Sequence, residues 1–351
     1  MAGSFSQSQQ FIETSESVIP IKVFGLKSTR NYAQSVCDHL GIPLASHEEK
    51  YFQDGECYVK SADGPEGNVR GHNVFVIQSL YSDDKESVAD KFIKLAIMCG
   101  SLRTASAAEV VPVIPHLAFA RQDRKTESRA PVTTKIISNM LESVGIDRIL
   151  FMDVHNLSAE QNAFSLRCPV DNLECKNLHA EWFAEKLSEN KTWKKLAVLS
   201  PDSGGYARTV RFRNALAKLL KVDIEVAILD KLRINGDVAA RRIVGDIEGA
   251  EVIAYDDMIS TGGSMVKACR AVEDHGGRLF GICVTHGLFV GKADKYLSEI
   301  DTHIVISDTV PPLNLSVQNM KKIHIVNTSG MVAEAIKKIH TGTGSISELL
   351  V

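Results

Sequence analysis

Short β-rich apolar runs recur along this chain, and the stretches between them carry the periodicity of amphipathic helices. The runs are IPIKVFGL (19–26), NVFVIQSL (73–80), VVPVIP (110–115), RILFMDVH (148–155), KLAVLSPD (195–202), EVAILDK (225–231), EVIAYDD (251–257), LFGICVTH (279–286) and THIVISD (302–308). Helices are expected between them, as in 91–105, 134–145 and 264–277; in the last, Met265, Cys269 and Val272 share one face and Gly276–Gly277 supply the stop. Strands that are apolar throughout, rather than alternating, are buried on both faces. Alternation with helices therefore predicts α/β architecture with mostly parallel sheets flanked by helices. A length of 351 residues has room for two such sheets, although no repeat is visible at the level of residues.

Several functions are disfavoured by composition. A formal net charge of −3 argues against a basic surface for nucleic acid, so any anion site must be local. No apolar stretch approaches the roughly 20 residues that span a membrane. The seven cysteines are scattered and form no C-x-x-C pair, as expected of reduced thiols in a cytoplasmic protein. The opening MAGSFSQSQQFIETSES lacks arginine and an apolar core, which makes it a poor targeting peptide and predicts an extension over 1–19.

In open α/β sheets, ligands gather beyond the C-terminal ends of strands. Polar clusters occupy those places here: RQDRK (121–125), DVH (153–155), SPDSGG (200–205) and DDMISTGGS (256–264). The last pairs two functions. Thr261 and Ser264 hydroxyls, amides freed by Gly262 and Gly263, and the positive end of the following helix suit one phosphate monoester. Asp256 and Asp257 suit vicinal hydroxyls about one sugar ring away. A turn selected only for its geometry also favours aspartates and glycines. No G-x-x-x-x-G-K-[ST] or G-x-G-x-x-G string is present, so ATP, if handled, is held without a P-loop or Rossmann fingerprint.

Tyr255 to Ser264 resembles the phosphoribosyl diphosphate-binding loop of the type I phosphoribosyltransferase fold. FQDGE (52–56), ARQDRK (120–125), SRAP (128–131), DVH (153–155), PVDNL (169–173), SPDSGG (200–205), Lys231–Leu232–Arg233 and SIS (345–347) stand in the order seen in ribose-phosphate diphosphokinases. The resemblance runs from about residue 20 to the C-terminus. It implies two phosphoribosyltransferase-type domains, 20–174 and 175–339, with 340–351 packing back on the first. The implied reaction is Mg²⁺-dependent transfer of the diphosphoryl group of ATP to the anomeric hydroxyl of ribose 5-phosphate, releasing AMP.

Residue roles follow from the same resemblance. Ser260, Thr261, Gly262, Gly263 and Ser264 would hold the 5-phosphate, and Asp256 and Asp257 the ribose hydroxyls. His155 and Asp202 match the metal-associated positions. Phe52, Asp54 and Glu56 match the adenine-reading segment, which in the family enters a neighbouring subunit's site and so implies a homo-oligomer. Arg121, Gln122 and Arg208 match ATP contacts, and Lys231 and Arg233 the catalytic cations. Arg70, Ser79, Arg129, Ser345 and Ser347 match the intersubunit site for phosphate or ADP.

The chain also departs from the family's pattern. The KLRINGDVAARRIVGD loop is about one residue shorter and less basic, SADGPEGNVRG (61–71) is longer, and SVAD (87–90) replaces a stretch containing Asn-Asp-Asn. HLAF (116–119) has fewer aromatics, and Ser264 stands in place of the common threonine. These changes leave open a non-catalytic regulatory subunit of a synthetase complex. A transferase that consumes phosphoribosyl diphosphate is disfavoured by FQDGE, ARQDRK and the two-domain length.

Overall fold

The computed structural model describes residues 19–189, 192–234 and 237–351, with the side chains of 231–241 outside that description. Nearly all of the expected N-terminal extension (1–19) lies outside it, as do the side chains of Lys231 and Arg233.

The described chain opens with β1 (Ile21–Gly25), then an antiparallel pair, β2 (His47–Tyr51) and β3 (Cys57–Ser61). Next come β4 (Asn73–Ile77), β5 (Glu109–Ile114), β6 (Ile149–Met152) and β7 (Val170–Leu173). With β1 these form an all-parallel sheet ordered β1-β4-β5-β6-β7. The remaining strands are β8 (Leu196–Ser200), β9 (Glu225–Ile234), β10 (Asp237–Val244), β11 (Glu251–Ile259), β12 (Arg278–Gly287), β13 (His303–Ser307) and β14 (Ile323–Val326). They form a second sheet ordered β10-β9-β8-β11-β12-β13-β14, parallel except for the outermost β9–β10 pair. Helices cover both sheets, so the α/β architecture expected from the apolar runs is present. Every residue of β4 and β8 is buried, which is what parallel strands covered on both faces require.

The helix at Gly263–Asp274 buries Met265, Cys269 and Val272, as its periodicity predicted. Another helix, Val88–Thr104, begins earlier than 91 because Ser87 and Asp90 form a reciprocal capping box.

Three local expectations change. β11 does not stop at Asp257; it continues along β12 to Ile259, so the two aspartates lie within the strand. The segment read as a loop from Lys231 is instead an antiparallel ribbon, β9 paired with β10 around a bulge at Val238/Ala240. Pairing gives the edge of β9 its hydrogen bonds, and Gly245 ends the ribbon at φ +120, where a Cβ would come within 2.6 Å of the Val226 carbonyl oxygen. Finally, the expected break at 339–340 falls inside the helix Ser329–Thr341. That helix buries Val332, Ala333 and Ile336 in the same cluster as Val23, Ala33 and Val36 of the first unit. The Tyr32 and Thr328 hydroxyls (2.7 Å) and those of Ser35 and Ser329 (2.8 Å) add hydrogen bonds to this joint. The return to the first unit thus begins before residue 340, because this helix covers its apolar face there.

Candidate active site

The C-terminal ends of β6, β8 and β11 face one another across the gap between the sheets. They line a cavity of about 870 Å³ together with Arg121, Asp123 and Arg124 from the segment after β5. Three strand-end clusters supply Asp153 and His155, Asp202 to Gly205, and Asp256 and Asp257. This convergence is the crevice that parallel sheets create at their strand ends.

At its centre is a charged knot. His155 Nδ1 lies 2.6 Å from Asp257 Oδ2. Arg208, on the helix Tyr206–Leu220, reaches Asp256 Oδ1 at 2.8 Å and Asp257 Oδ1 at 2.5 Å, and its Nη2 donates to the His155 carbonyl at 2.7 Å. Burial resists ionisation of Asp257, but the hydrogen bond from His155 and the charge of Arg208 outweigh it and hold the carboxyl below its usual range. Asp256 behaves oppositely: burial and then the neighbouring Asp257 charge push it up to about 7, against the pull of Arg208. His155 is raised by its bond to Asp257, with burial opposing.

The two aspartates, expected to act alike on sugar hydroxyls, are therefore placed differently. Asp257 is buried with both oxygens engaged, whereas Asp256 is half-buried and its Oδ1 also accepts from the Asp257 amide at 2.9 Å. Asp202 caps the turn after β8, accepting from the Gly205 amide at 3.1 Å. Gly205 leaves room there: a Cβ would stand 2.6 Å from Ser200 Oγ.

Asp153 and Thr285 also line this cavity, and sequence reading assigned neither a role. Asp153 adopts φ +40, uncommon for a residue with a side chain. Its Oδ2 accepts from Thr285 Oγ1 at 2.6 Å and from the Cys175 amide at 2.9 Å, and that double hold maintains the conformation. The signal was present in the polar ends of RILFMDVH and LFGICVTH, but not which residue met which.

Most of the other expected site residues lie outside the cavity lining. Ser260 to Ser264 follow β11 and start the helix Gly263–Asp274, with Gly262 at φ +81 and Thr261 and Ser264 exposed. That is an exposed helix N-terminus carrying hydroxyls, the geometry that suits an anion. Phe52, Asp54 and Glu56 occupy the turn of the β2–β3 hairpin, where Gly55 adopts φ +92, and Phe52 is 48% exposed. Arg121 lines the cavity, whereas Gln122 turns its side-chain oxygen to the Thr133 hydroxyl. Arg70 and Arg129 are exposed, and the exposed Ser345 and Ser347 hydroxyls lie 2.7 Å apart. Ser79 differs from these four. It is fully buried, donating to the Thr309 carbonyl at 2.5 Å and accepting from the His116 amide at 3.1 Å.

Comparisons with known proteins fit this arrangement. Residues 21–145 match a family model described as the N-terminal domain of ribose phosphate pyrophosphokinase, and residues 227–350 match a phosphoribosyl synthetase-associated domain. The chain is 36% identical over 322 residues to the ribose-phosphate pyrophosphokinase of Pasteurella multocida, covering 91% of this chain and 96% of that one. It is 35% identical over 331 residues to the corresponding protein of Caldanaerobacter subterraneus, covering 94% and 97%. In fold it resembles the crystal structure of phosphoribosylpyrophosphate synthetase from Mycobacterium smegmatis, with a TM-score of 0.78 and 23% identity over 92% of this chain and 100% of that chain.

Proposed function

This chain belongs to the ribose-phosphate pyrophosphokinase family, and from that premise we propose how its residues divide the work. The chain is an enzyme that transfers the diphosphoryl group of ATP to the anomeric hydroxyl of ribose 5-phosphate, giving 5-phosphoribosyl 1-diphosphate and AMP. The observation that carries the assignment of residues is the meeting of His155, Asp202, Arg208, Asp256 and Asp257 in one cavity at the strand ends.

The helix N-terminus at Ser260–Ser264 takes the 5-phosphate. Asp256, the more accessible acid, accepts from the sugar hydroxyls, and Asp257 orients His155 and Arg208. Arg121 and Gln122 sit at the ATP side. Phe52, Asp54 and Glu56 do not line their own chain's cavity, which favours a homo-oligomer in which the hairpin reads the adenine of a second copy. Arg70, Arg129, Ser345 and Ser347 are exposed, as contacts to a phosphate or ADP effector between subunits require. Among the described residues, no helix is long and apolar enough to cross a membrane.

The residues fit a magnesium ion that keeps much of its water. Among the described residues no three His, Cys, Asp or Glu side chains converge as a closed cage. Asp202 and His155 each commit one side-chain atom to a protein partner and retain a second donor atom beside the cavity. They would hold the ion, which when bound neutralises phosphate charge during transfer. Lys231 and Arg233, at the end of β9, would supply cationic stabilisation of the transferring group.

The test is AMP release from ATP and ribose 5-phosphate with Mg²⁺, with and without inorganic phosphate. Turnover is expected in the wild type; its absence in both conditions would overturn the reading in favour of a regulatory subunit.

A further inference from the structure

The knot at His155 forms only if the end of β6 and the end of β12 are held in a fixed relation, since β11, which carries Asp257, is registered on β12. Two adjacent residues of β12 make that connection. Thr285 Oγ1 donates to Asp153 Oδ2 at 2.6 Å, and His286 Nε2 lies 3.1 Å from the Met152 carbonyl. A carbonyl only accepts, so Nε2 carries the proton and Nδ1 of the neutral ring accepts from Thr309 Oγ1 at 2.9 Å.

Behind this pair the bonds continue. Ser307 Oγ reaches the Thr285 carbonyl at 2.6 Å and Thr309 Oγ1 at 2.8 Å, and Ser79 Oγ donates to the Thr309 carbonyl at 2.5 Å. Ser79, Met152 and Asp153 come from the first sheet's strand ends; Thr285, His286, Ser307 and Thr309 come from the second. Ser79, Thr285, His286, Ser307 and Thr309 are buried. A buried network with partners at each step specifies one geometry, because a displaced member leaves polar atoms unpaired in a dry environment.

We propose that Thr285 and His286 are positioning residues for diphosphoryl transfer. They clamp Met152–Asp153 so that His155, two residues further on, meets Asp257 across the cavity. The clamp rests on the diphosphokinase reading for its kinetic consequence, but its structural consequence does not depend on that reading. Thr285→Val keeps the shape and removes the donor. It is expected to lower kcat by about 10²-fold, the scale on which a displacement of about 1 Å acts, with little change in KM for ATP or ribose 5-phosphate. Thr285→Ser, which keeps the hydroxyl, is expected to recover most of the rate. Asp153→Asn keeps an acceptor and suits a positive φ, and Asp153→Ala removes the acceptor, so the first is expected to resemble Thr285→Ser and the second Thr285→Val.

Amide hydrogen exchange gives a second reading that needs no activity. Residues 153–158 should exchange faster in Thr285→Val than in wild type or Thr285→Ser at equal melting temperature. If Thr285→Val fails to fold, the Asp153 pair carries the same comparison. Faster exchange in an inactive wild-type background would keep the clamp and remove the reaction. Unchanged exchange and unchanged kcat in Thr285→Val, or equal losses in Val and Ser, would overturn the clamp while leaving the reaction intact.

Discussion

Two antiparallel pairs are attached to this parallel architecture, and they are secured differently. The β2–β3 hairpin forms its own two-stranded sheet beside the first sheet. It is tied to the helix Val88–Thr104 by buried charge: Lys94 Nζ stands 2.5 Å from both Glu49 and Glu86, and the Tyr51 hydroxyl donates to Glu86 at 3.0 Å. Lys91, just before Lys94 on that helix, pairs with Asp83 at 2.6 Å while lying 3.4 Å from the centre of the Tyr81 ring. The β9–β10 ribbon instead extends the second sheet through the β8–β9 ladder. One attachment depends on specific ion pairs between side chains, the other on backbone continuity. Side-chain ion pairs can be undone by one substitution or by acid, whereas a backbone ladder largely survives changes to its side chains.

The largest effect is expected at the ribbon. Lys231→Ala should reduce AMP formation by about 10³-fold with a melting temperature close to wild type. A matching collapse of folding would erase the distinction between the two pairs.

Lys94→Met reverses the pattern. It leaves the Glu49 and Glu86 carboxylates facing each other at a site where Lys94 is 1% exposed, and should destabilise the fold by about 3 kcal/mol in denaturant unfolding. KM for ATP should rise more than KM for ribose 5-phosphate, because the hairpin carries Phe52, Asp54 and Glu56. Equal changes in both would mean that the hairpin does not read ATP.

Acid should release the hairpin by a related route. Burial resists ionisation of Glu49, but hydrogen bonds from His47, Lys94 and the Lys27 amide outweigh it and hold the carboxyl at about 2, against an unfolded value of 4.5. A depressed folded value contributes stability that is present above pH 4.5 and is lost as pH falls through about 2. The contribution is on the order of 3 kcal/mol. Glu49→Gln should flatten this acid limb of the stability curve; an unchanged limb would mean the contribution lies elsewhere.

Phe52→Ala should have the smallest effect. Loss of one base-stacking ring should raise KM for ATP about 10-fold with kcat little altered, since the half-exposed side chain supports little of the fold. A change confined to ribose 5-phosphate would refute the adenine assignment.

The sequence was most informative where burial imposes a pattern. EVIAY, KLAVL and NVFVI read as parallel strands because both faces are covered, and β11, β8 and β4 form there. HEEKY of β2 is not legible as a strand, because its hairpin is half-exposed and its buried contacts are charged, so no apolar period marks it. The ribbon reads as a loop in the sequence because EVAILDK gives way to the polar KLRINGD, although β9 runs to Ile234 and pairs with β10. The four-residue β7 and β14 are too short to carry a period.

At the site, the local motifs determined which chemical groups are present and that they stand at or near the C-terminal ends of strands. The sequence therefore determined the α/β class, the polar clusters and the glycine- and hydroxyl-bearing helix start, because strand burial and turn chemistry act over a few residues. Only the tertiary structure decided that Arg208 serves both aspartates, that Asp257 is anchor and Asp256 the accessible acid, and that Asp153 meets Thr285. Those contacts join residues far apart in the chain, and their partners are chosen by how the two sheets pack.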